Sequence, residues 1–359
     1  MKKILIINLF GIGDVLFSTP LLRALKLKYP DASITYVCNR RTEGLLKNDP
    51  NLASIHTFEK DEYRVLWNES KIKCIKKISS LIKRIGGSRY DILIDMSLGY
   101  IYSLMLAIFG SIPVRVGFNY RNRGRFLTHK VDIKAFDKEH VIEYYLELGK
   151  VLGIDTASKE MCIAITKEDA LWAREFLNSN GIREDENICG IVPGCGASWG
   201  KDAKYRRWST WKFAEVANHA AGRYGHKILI FGASKEKPIC SKMQSEMKVQ
   251  SVQACGKTTL GQLAALLDRC ALVVTNDGGP LHMSVALKKK TVSIFGPVDE
   301  KVYGPYPSSD RFITISSGEP CRPCYKNFKY VKCEELNCLK HIGPDKVIAA
   351  VDMLMGRKV

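Results

Sequence analysis

Short apolar runs rich in β-branched residues recur along the chain, separated by longer stretches whose apolar positions repeat every three or four residues. Lys3–Leu9, Ser33–Cys38, Ser54–Thr57, Asp91–Met96 and Val114–Gly117 read as buried strands. Between them the spacing predicts a helix running to about Lys28, with Val15, Leu16, Leu22 and Leu25 inward. It also predicts a Lys-rich helix over 70–86 with Ile72, Ile75, Ile78, Leu81 and Ile82 inward, a buried helix over Ile101–Phe109, and a helix over 137–152. A linker near Asp155–Lys167 follows, and then the pattern resumes. Asn187–Val192, Lys227–Phe231, Val249–Gln253, Ala271–Val274, Thr291–Phe295 and 312–315 read as strands, with helices over 259–269, after Pro280, and over 344–356. Strands alternating with helices specify parallel sheets. The chain is therefore expected to be α/β, with domains over 1–160 and 161–342 and a final helical segment over 343–359.

The loops that follow the strands carry the candidate chemistry. Thr275-Asn276-Asp277-Gly278-Gly279-Pro280 joins a strand to a helix. A glycine-rich loop at a helix N-terminus offers backbone N–H groups and a partial positive charge to a phosphate, although Gly-Gly is also an ordinary tight turn. Near the N-terminus, Gly11-x-Gly13 begins like a dinucleotide fingerprint, but Leu16 stands in place of the third glycine. Asn39 stands where a ribose-binding acid belongs, so a dehydrogenase is disfavoured. Asp14 is either a helix cap or a base.

Charge adds a constraint on partners. The 359 residues carry 55 Lys+Arg against 37 Asp+Glu, a net +18, which favours anionic partners without choosing among them. Seven basic residues from Lys71 to Arg89 meet no acid, and no acid separates Asp95 from Asp132. In that second interval Arg121, Arg123 and Arg125 lie in a loop suited to gripping an anionic group. No run reaches the roughly 20 apolar residues of a spanning helix. The apolar N-terminal run is short and soon followed by Asp14, so it reads as a strand and not a signal peptide. The expected location is cytoplasmic, with room for association at the inner face of a membrane.

Two motifs in combination carry a resemblance. Thr275-Asn276-Asp277-Gly278-Gly279-Pro280-Leu281-His282, with Phe295-Gly296-Pro297 behind it, resembles the donor signature of glycosyltransferase family nine, the ADP-heptose:lipopolysaccharide heptosyltransferases. Gly11-Ile12-Gly13-Asp14, with Pro20 six residues on, resembles that family's other hallmark. The resemblance implies two Rossmann-like domains facing each other in the fold called GT-B, with the C-terminal helix crossing back to the first. It implies Asp14 as general base, Gly13 and Arg121, Arg123 and Arg125 toward an acceptor, and a nucleotide-sugar donor held by Gly194, Lys204, Arg206, Glu236, Asn276, Asp277, Gly278, Gly279 and His282. The family has a lysine two residues before a tryptophan, whereas this chain has Arg206 before Trp208 with Lys204 nearby, leaving two candidates for the diphosphate cation. An inverting transfer to an anionic glycolipid such as lipopolysaccharide inner core, or to a protein, is the implied activity, with no catalytic metal expected. The rivals are a basic nucleic-acid-binding protein with a cysteine module, for which the interleaved aromatics of a base-stacking surface are missing, and a sugar-nucleotide epimerase of the same fold.

Twelve cysteines are present, and four are clustered as Cys321-x2-Cys324-x8-Cys333-x4-Cys338. That spacing suits a structural zinc or iron site. Free thiols and disulfides are the alternatives.

Overall fold

The computed structural model describes every residue except 87–88, 99–111, 157, 197–199, 327 and 357–359. The expected helix over Ile101–Phe109 lies outside the described residues. The chain divides into two compact units, one of Met1–Phe136 with Val141–Lys159, the other of Asp137–His140 with Glu160–Val359.

The first unit is a parallel six-stranded sheet. Its strands are β1 (Lys3–Ile7), β2 (Ser33–Cys38), β3 (Ser54–Thr57), β4 (Ile92–Asp95), β5 (Val114–Phe118) and β6 (His129–Val131), in the order β3-β2-β1-β4-β5-β6. Residues 4–7 are buried on both faces, as a central parallel strand requires. Its helices are α1 (Ile12–Phe17), α2 (Thr19–Lys28), α3 (Arg40–Leu46), α4 (Lys60–Glu69), α5 (Lys71–Gly86) and α6 (Val141–Lys150). One sheet face, with Leu5, Ile7 and Leu93, packs on Tyr63 of α4 and on Cys74, Leu81 and Ile85 of α5. α6 packs on α1 and α2.

One expectation fails in this unit. Ile72 and Ile75 are exposed, because the buried stripe of α5 is Cys74, half-buried Ile78, Leu81 and Ile85. The arginine segment is a loop with one short helical turn over Tyr120–Asn122, and the sequence did not show the strand that follows it. Its return stretch pairs with β5 as β6, Gly117 opposite Lys130. Arg115 fastens it by donating from Nε to the Phe126 carbonyl at 2.6 Å.

The second unit repeats the topology. β7 (Ile188–Val192), β8 (Lys227–Ile230), β9 (Ser251–Gln253), β10 (Cys270–Asn276), β11 (Lys290–Phe295) and β12 (Phe312–Ser316) form a parallel sheet in the order β12-β11-β10-β7-β8-β9. Its main helices are α7 (Lys167–Ser179), α8 (Thr210–Tyr224), α9 (Lys237–Glu246), α10 (Leu260–Asp268) and α11 (Gly279–Ala286). Then come α12 (Glu300–Tyr303), α13 (Asn337–Lys340) and α14 (Pro344–Gly356). Thr259 and Gln262 satisfy each other's backbone N–H groups at the start of α10, a reciprocal cap. The expected C-terminal helix is α14. Its Val347, Ala350, Val351 and Leu354 join Phe213, Val216 and Ala217 of α8 in the core of this second unit, the unit to which the helix belongs.

In both sheets the first strand of the unit sits beside the fourth. The chain winds one way from that pair and then the other. Such a reversal opens a crevice at the carboxyl ends of the two central strands, which is where ligands bind in sheets of this kind. In the first unit those ends are β1 and β4; in the second they are β7 and β10.

Candidate active site

Asp14 follows β1, at the third position of α1. It is not the cap residue itself; Gly11 is. The Asp14 carboxylate reaches back to accept the Gly11 N–H at 3.2 Å, which fixes the turn leaving the sheet. Its other oxygen accepts from the Tyr145 hydroxyl of α6 at 3.5 Å. The Asp14 backbone carbonyl accepts from the buried Asn8 amide at 3.0 Å. Asn39 donates to the carbonyls of Leu9 and Phe10, so the residue at the ribose-acid position buttresses this loop instead. Asp14 and Gly13 are half-buried, leaving the carboxylate oriented by its partners at the mouth of the crevice. Phe118, which ends β5, packs against Tyr145 with ring centroids 6.1 Å apart. The arginine segment leaves the sheet from there. Arg121, Arg123 and Arg125 are exposed, and Arg121 and Arg123 lie over the Tyr120 ring at 4.9 and 6.0 Å.

The second unit gathers most of its candidate residues into one buried network. Asn276 ends β10 and is fully buried. Its amide donates to the carbonyls of Pro193 at 2.9 Å and Gly194 at 3.0 Å, while its oxygen accepts the Trp208 N–H at 3.0 Å. Glu236 is buried too. One of its oxygens accepts the N–H groups of Cys195 and Gly196, both at 3.0 Å, and the other accepts that of Ala233 at 2.9 Å. These two side chains hold the loops after β7 and β8 together, using the groups that sequence reasoning reserved for a nucleotide.

The glycines follow from this closeness. A Cβ on Gly194 would stand 2.2 Å from a Glu236 carboxylate oxygen, and one on Gly278 would stand 2.6 Å from the Cys195 carbonyl oxygen. Gly278 is extended, with φ 171°, so the requirement there is space and not backbone freedom. Gly279 then opens α11, with Pro280 second.

Arg206 is buried and pairs with the buried Asp277 carboxylate at 2.7 Å, also donating to the Asp277 carbonyl at 2.8 Å. Burial pushes the Asp277 carboxyl up, and the Arg206 guanidinium pulls it back. Lys204 is exposed over the Tyr205 ring at 5.1 Å. Arg207, which sequence reasoning passed over, lies half-buried 3.6 Å from Glu236. Two cations and two carboxylates thus compensate, and Lys204 is an exposed cation in the same segment as Arg206. His282 is buried on α11, and its imidazole is held down to about 3 by burial, by His140 and by Arg206. It is neutral near pH 7. His140 was missed: it is buried, stacked on Tyr306 at 4.4 Å and bonded to the Gly304 carbonyl at 3.1 Å.

A model of glycosyltransferase family 9 (heptosyltransferase) matches residues 78–334. The chain belongs to glycosyltransferase family 9. It is a glycosyltransferase, and no helix among its described residues is long and apolar enough to cross a membrane. Lipooligosaccharide heptosyltransferase 2 of Campylobacter jejuni is 27% identical over 349 residues, covering 96% of this chain and 95% of that one. The crystal structure of the glycosyl transferase family 9 from Veillonella parvula superposes with a TM-score of 0.81 at 25% identity, covering 99% of this chain and 98% of that one. An Escherichia coli ADP-heptose lps heptosyltransferase II shares the fold, with a TM-score of 0.75 at 21% identity over 99% of both chains.

The four clustered cysteines ring one cavity of about 220 Å³ with Glu319, Glu335 and Asn337. Cys324 is tied by its N–H to the Pro297 carbonyl at 2.9 Å, and Cys333 accepts the Leu336 N–H on its sulfur at 3.4 Å. Cys321 is exposed and Cys338 buried, and no disulfide joins any of the four. Burial and the neighbouring thiols push Cys324 up, and for the same reasons Cys338 stands at about 11. Among the described residues no three of His, Cys, Asp or Glu are arranged to hold a metal ion.

Proposed function

We propose that this glycosyltransferase moves a heptose from ADP-heptose to a hydroxyl of an anionic acceptor, lipopolysaccharide inner core, with inversion at the anomeric carbon. The observation that carries this reading is the chemistry at the central strand ends of each unit taken by itself: the first presents an oriented carboxylate, the second a glycine-lined helix start. Asp14 takes the proton from the acceptor hydroxyl as that oxygen attacks the anomeric carbon, opposite the departing diphosphate. Tyr145 and the Gly11 N–H hold the carboxylate in place for this step. General-base help of this kind is worth about 10²–10⁴-fold.

In the second unit the N-terminus of α11 and Lys204 would stabilise charge developing on the leaving diphosphate. Arg206 acts through Asp277, fixing the loop that precedes α11. Arg121, Arg123 and Arg125 would hold the anionic groups of the acceptor. A protein acceptor is the second reading, distinguished by its products.

The test is incubation with ADP-heptose and a heptose-deficient lipopolysaccharide. Release of ADP with a mass gain of one heptose on the acceptor supports the reading. Release without acceptor gain, or conversion of the sugar nucleotide to an isomer, overturns it.

The cysteine cavity is proposed as a structural zinc or iron site, which Cys321, Cys324, Cys333 and Cys338 would hold. Four soft donors around one cavity support it. The metal would pin the segment behind Pro297 and take no part in transfer.

A further inference from the structure

The surface of α4 and α5 is unlike the rest of the first unit. Four large apolar side chains, Val65, Trp67, Ile72 and Ile75, are 53, 47, 69 and 52% exposed within eleven residues of chain. Basic residues surround them. From Val65 to Arg89 there are seven, Lys71, Lys73, Lys76, Lys77, Lys83, Arg84 and Arg89, against the one acid Glu69. Ser70 ends α4 and caps α5, accepting the Lys73 N–H on its hydroxyl at 3.4 Å, so the two helices meet at a corner. Lys71 lies over the Trp67 ring at 5.8 Å at that corner.

At 100° per residue, Cys74, Ile78, Leu81 and Ile85 share the side of α5 that faces the sheet. Ile72, Lys76, Ser79 and Lys83 fall on the opposite side, and Ile75 lies on the flank between the two. The helix is thus apolar on its inner face, and carries exposed isoleucines beside lysines on its outer face and flank. Lys77 turns to Glu62 at 2.9 Å, and Glu62 also meets Arg40 at 3.3 Å, so the nearby acid is already matched. Solvent alone gives no reason for two exposed isoleucines and a tryptophan among lysines. A bilayer surface does: apolar side chains enter the acyl boundary while lysines meet anionic headgroups.

We infer that the α4–α5 face docks on an anionic phospholipid bilayer, with Trp67, Ile72 and Ile75 inserted and Lys73, Lys76 and Lys83 against the headgroups. The inference rests on the reading of the acceptor as a membrane-borne glycolipid for its purpose, but what decides it is vesicle binding and not transfer.

The experiment is cosedimentation of the full chain with vesicles of phosphatidylethanolamine and phosphatidylglycerol, and with vesicles of phosphatidylcholine alone. The wild type should bind the anionic vesicles, less so as salt rises. Replacing Lys73, Lys76 and Lys83 by Gln should weaken binding about a hundredfold, from the attraction expected per basic residue. Ile72→Ser with Ile75→Ser should weaken it about tenfold or more. Both variants should keep transfer to a water-soluble acceptor oligosaccharide. Equal binding to phosphatidylcholine, or variants that bind like the wild type, would overturn the assignment. So would duplex DNA binding as tight as vesicle binding, or a wild-type dimer that the isoleucine variant splits. Vesicle binding without any transfer would overturn the acceptor reading and leave the docking face standing.

Discussion

Arg206 and Asp277 meet at 2.7 Å in the interior of the second unit, and the same guanidinium nitrogen also holds the Asp277 carbonyl. A cation that looked in the sequence like a diphosphate ligand is committed to the loop in front of α11. Removing one partner leaves a buried charge uncompensated, which costs about 3–5 kcal/mol. Arg206→Ala should therefore lower the thermal midpoint and abolish ADP binding together. Arg206→Ala with Asp277→Asn should recover part of the stability. A stable Arg206→Ala variant that has lost only ADP affinity would make Arg206 a direct ligand.

Asp14→Asn keeps an oxygen for the Gly11 N–H but removes the base. Transfer should fall about 10²–10⁴-fold, with ADP affinity by isothermal titration within a few-fold of wild type. Asp14→Ala should lose transfer to the same degree and about 1 kcal/mol of stability besides, the worth of a cap. Near-normal turnover in the Asn variant would leave Asp14 only its capping role.

Gly278→Ala places a methyl against the Cys195 carbonyl, and Gly194→Ala places one against Glu236. Each should cost about 1–3 kcal/mol from overpacking and weaken ADP binding, because both loops move. A folded Gly278→Ala protein with unchanged ADP affinity would show that this loop does not touch the nucleotide.

His282 gives a pH signature. Its unfolded value is near 6.5 and its folded value about 3. Folding stability is therefore whole above pH 6.5 and is lost as pH falls toward 3, since the unfolded chain takes up a proton that the folded chain refuses. The slope approaches about 1.4 kcal/mol per pH unit within that window. His282→Gln should flatten this part of a denaturation series relative to wild type. Parallel curves would mean that His282 is already charged in the fold.

The cysteine cavity predicts zinc or iron bound stoichiometrically to the purified chain. Replacing any one of Cys321, Cys324, Cys333 or Cys338 by Ser should then lower thermal stability while leaving the chemical step unchanged. Metal-free protein that melts like the metal-loaded form, with four thiols titrating freely, ends the idea.

Much of this architecture was legible in the sequence, for reasons that are visible residue by residue. β1, β7 and β10 are buried on both faces, so they appear as largely apolar runs bounded by glycine or polar turns, and β11 shows as Val292, Ile294 and Phe295 among small polar residues. β6 was missed because His129–Val131 is short and polar, and pairing with β5 decides it. α5 was found with Ile78 and Leu81 inward as expected, but Ile72 and Ile75 were assigned to the inner face wrongly. Ile72 and Ile75 fit a helical apolar stripe as well as Ile78 and Leu81 do, and only the sheet chooses between them. The site followed the same rule. The strand-to-helix turns that carry Asp14 and Gly278 were readable from their glycines and capping residues. The duties of Asn276 and Glu236 were not, because their partners lie dozens of residues away in sequence.

Asn276 has one more consequence, for the order of assembly. Its bonds to Pro193, Gly194 and Trp208 span 83, 82 and 68 residues. Contacts that distant form after local ones, because the intervening chain must be closed into a loop first. The turn after β7 is therefore held on one side only, by Glu236, until β10 slots in beside it. A nascent chain stalled on the ribosome before residue 276 would carry every glycine of that first turn and still leave the Pro193 and Gly194 carbonyls without the amide that ties them down.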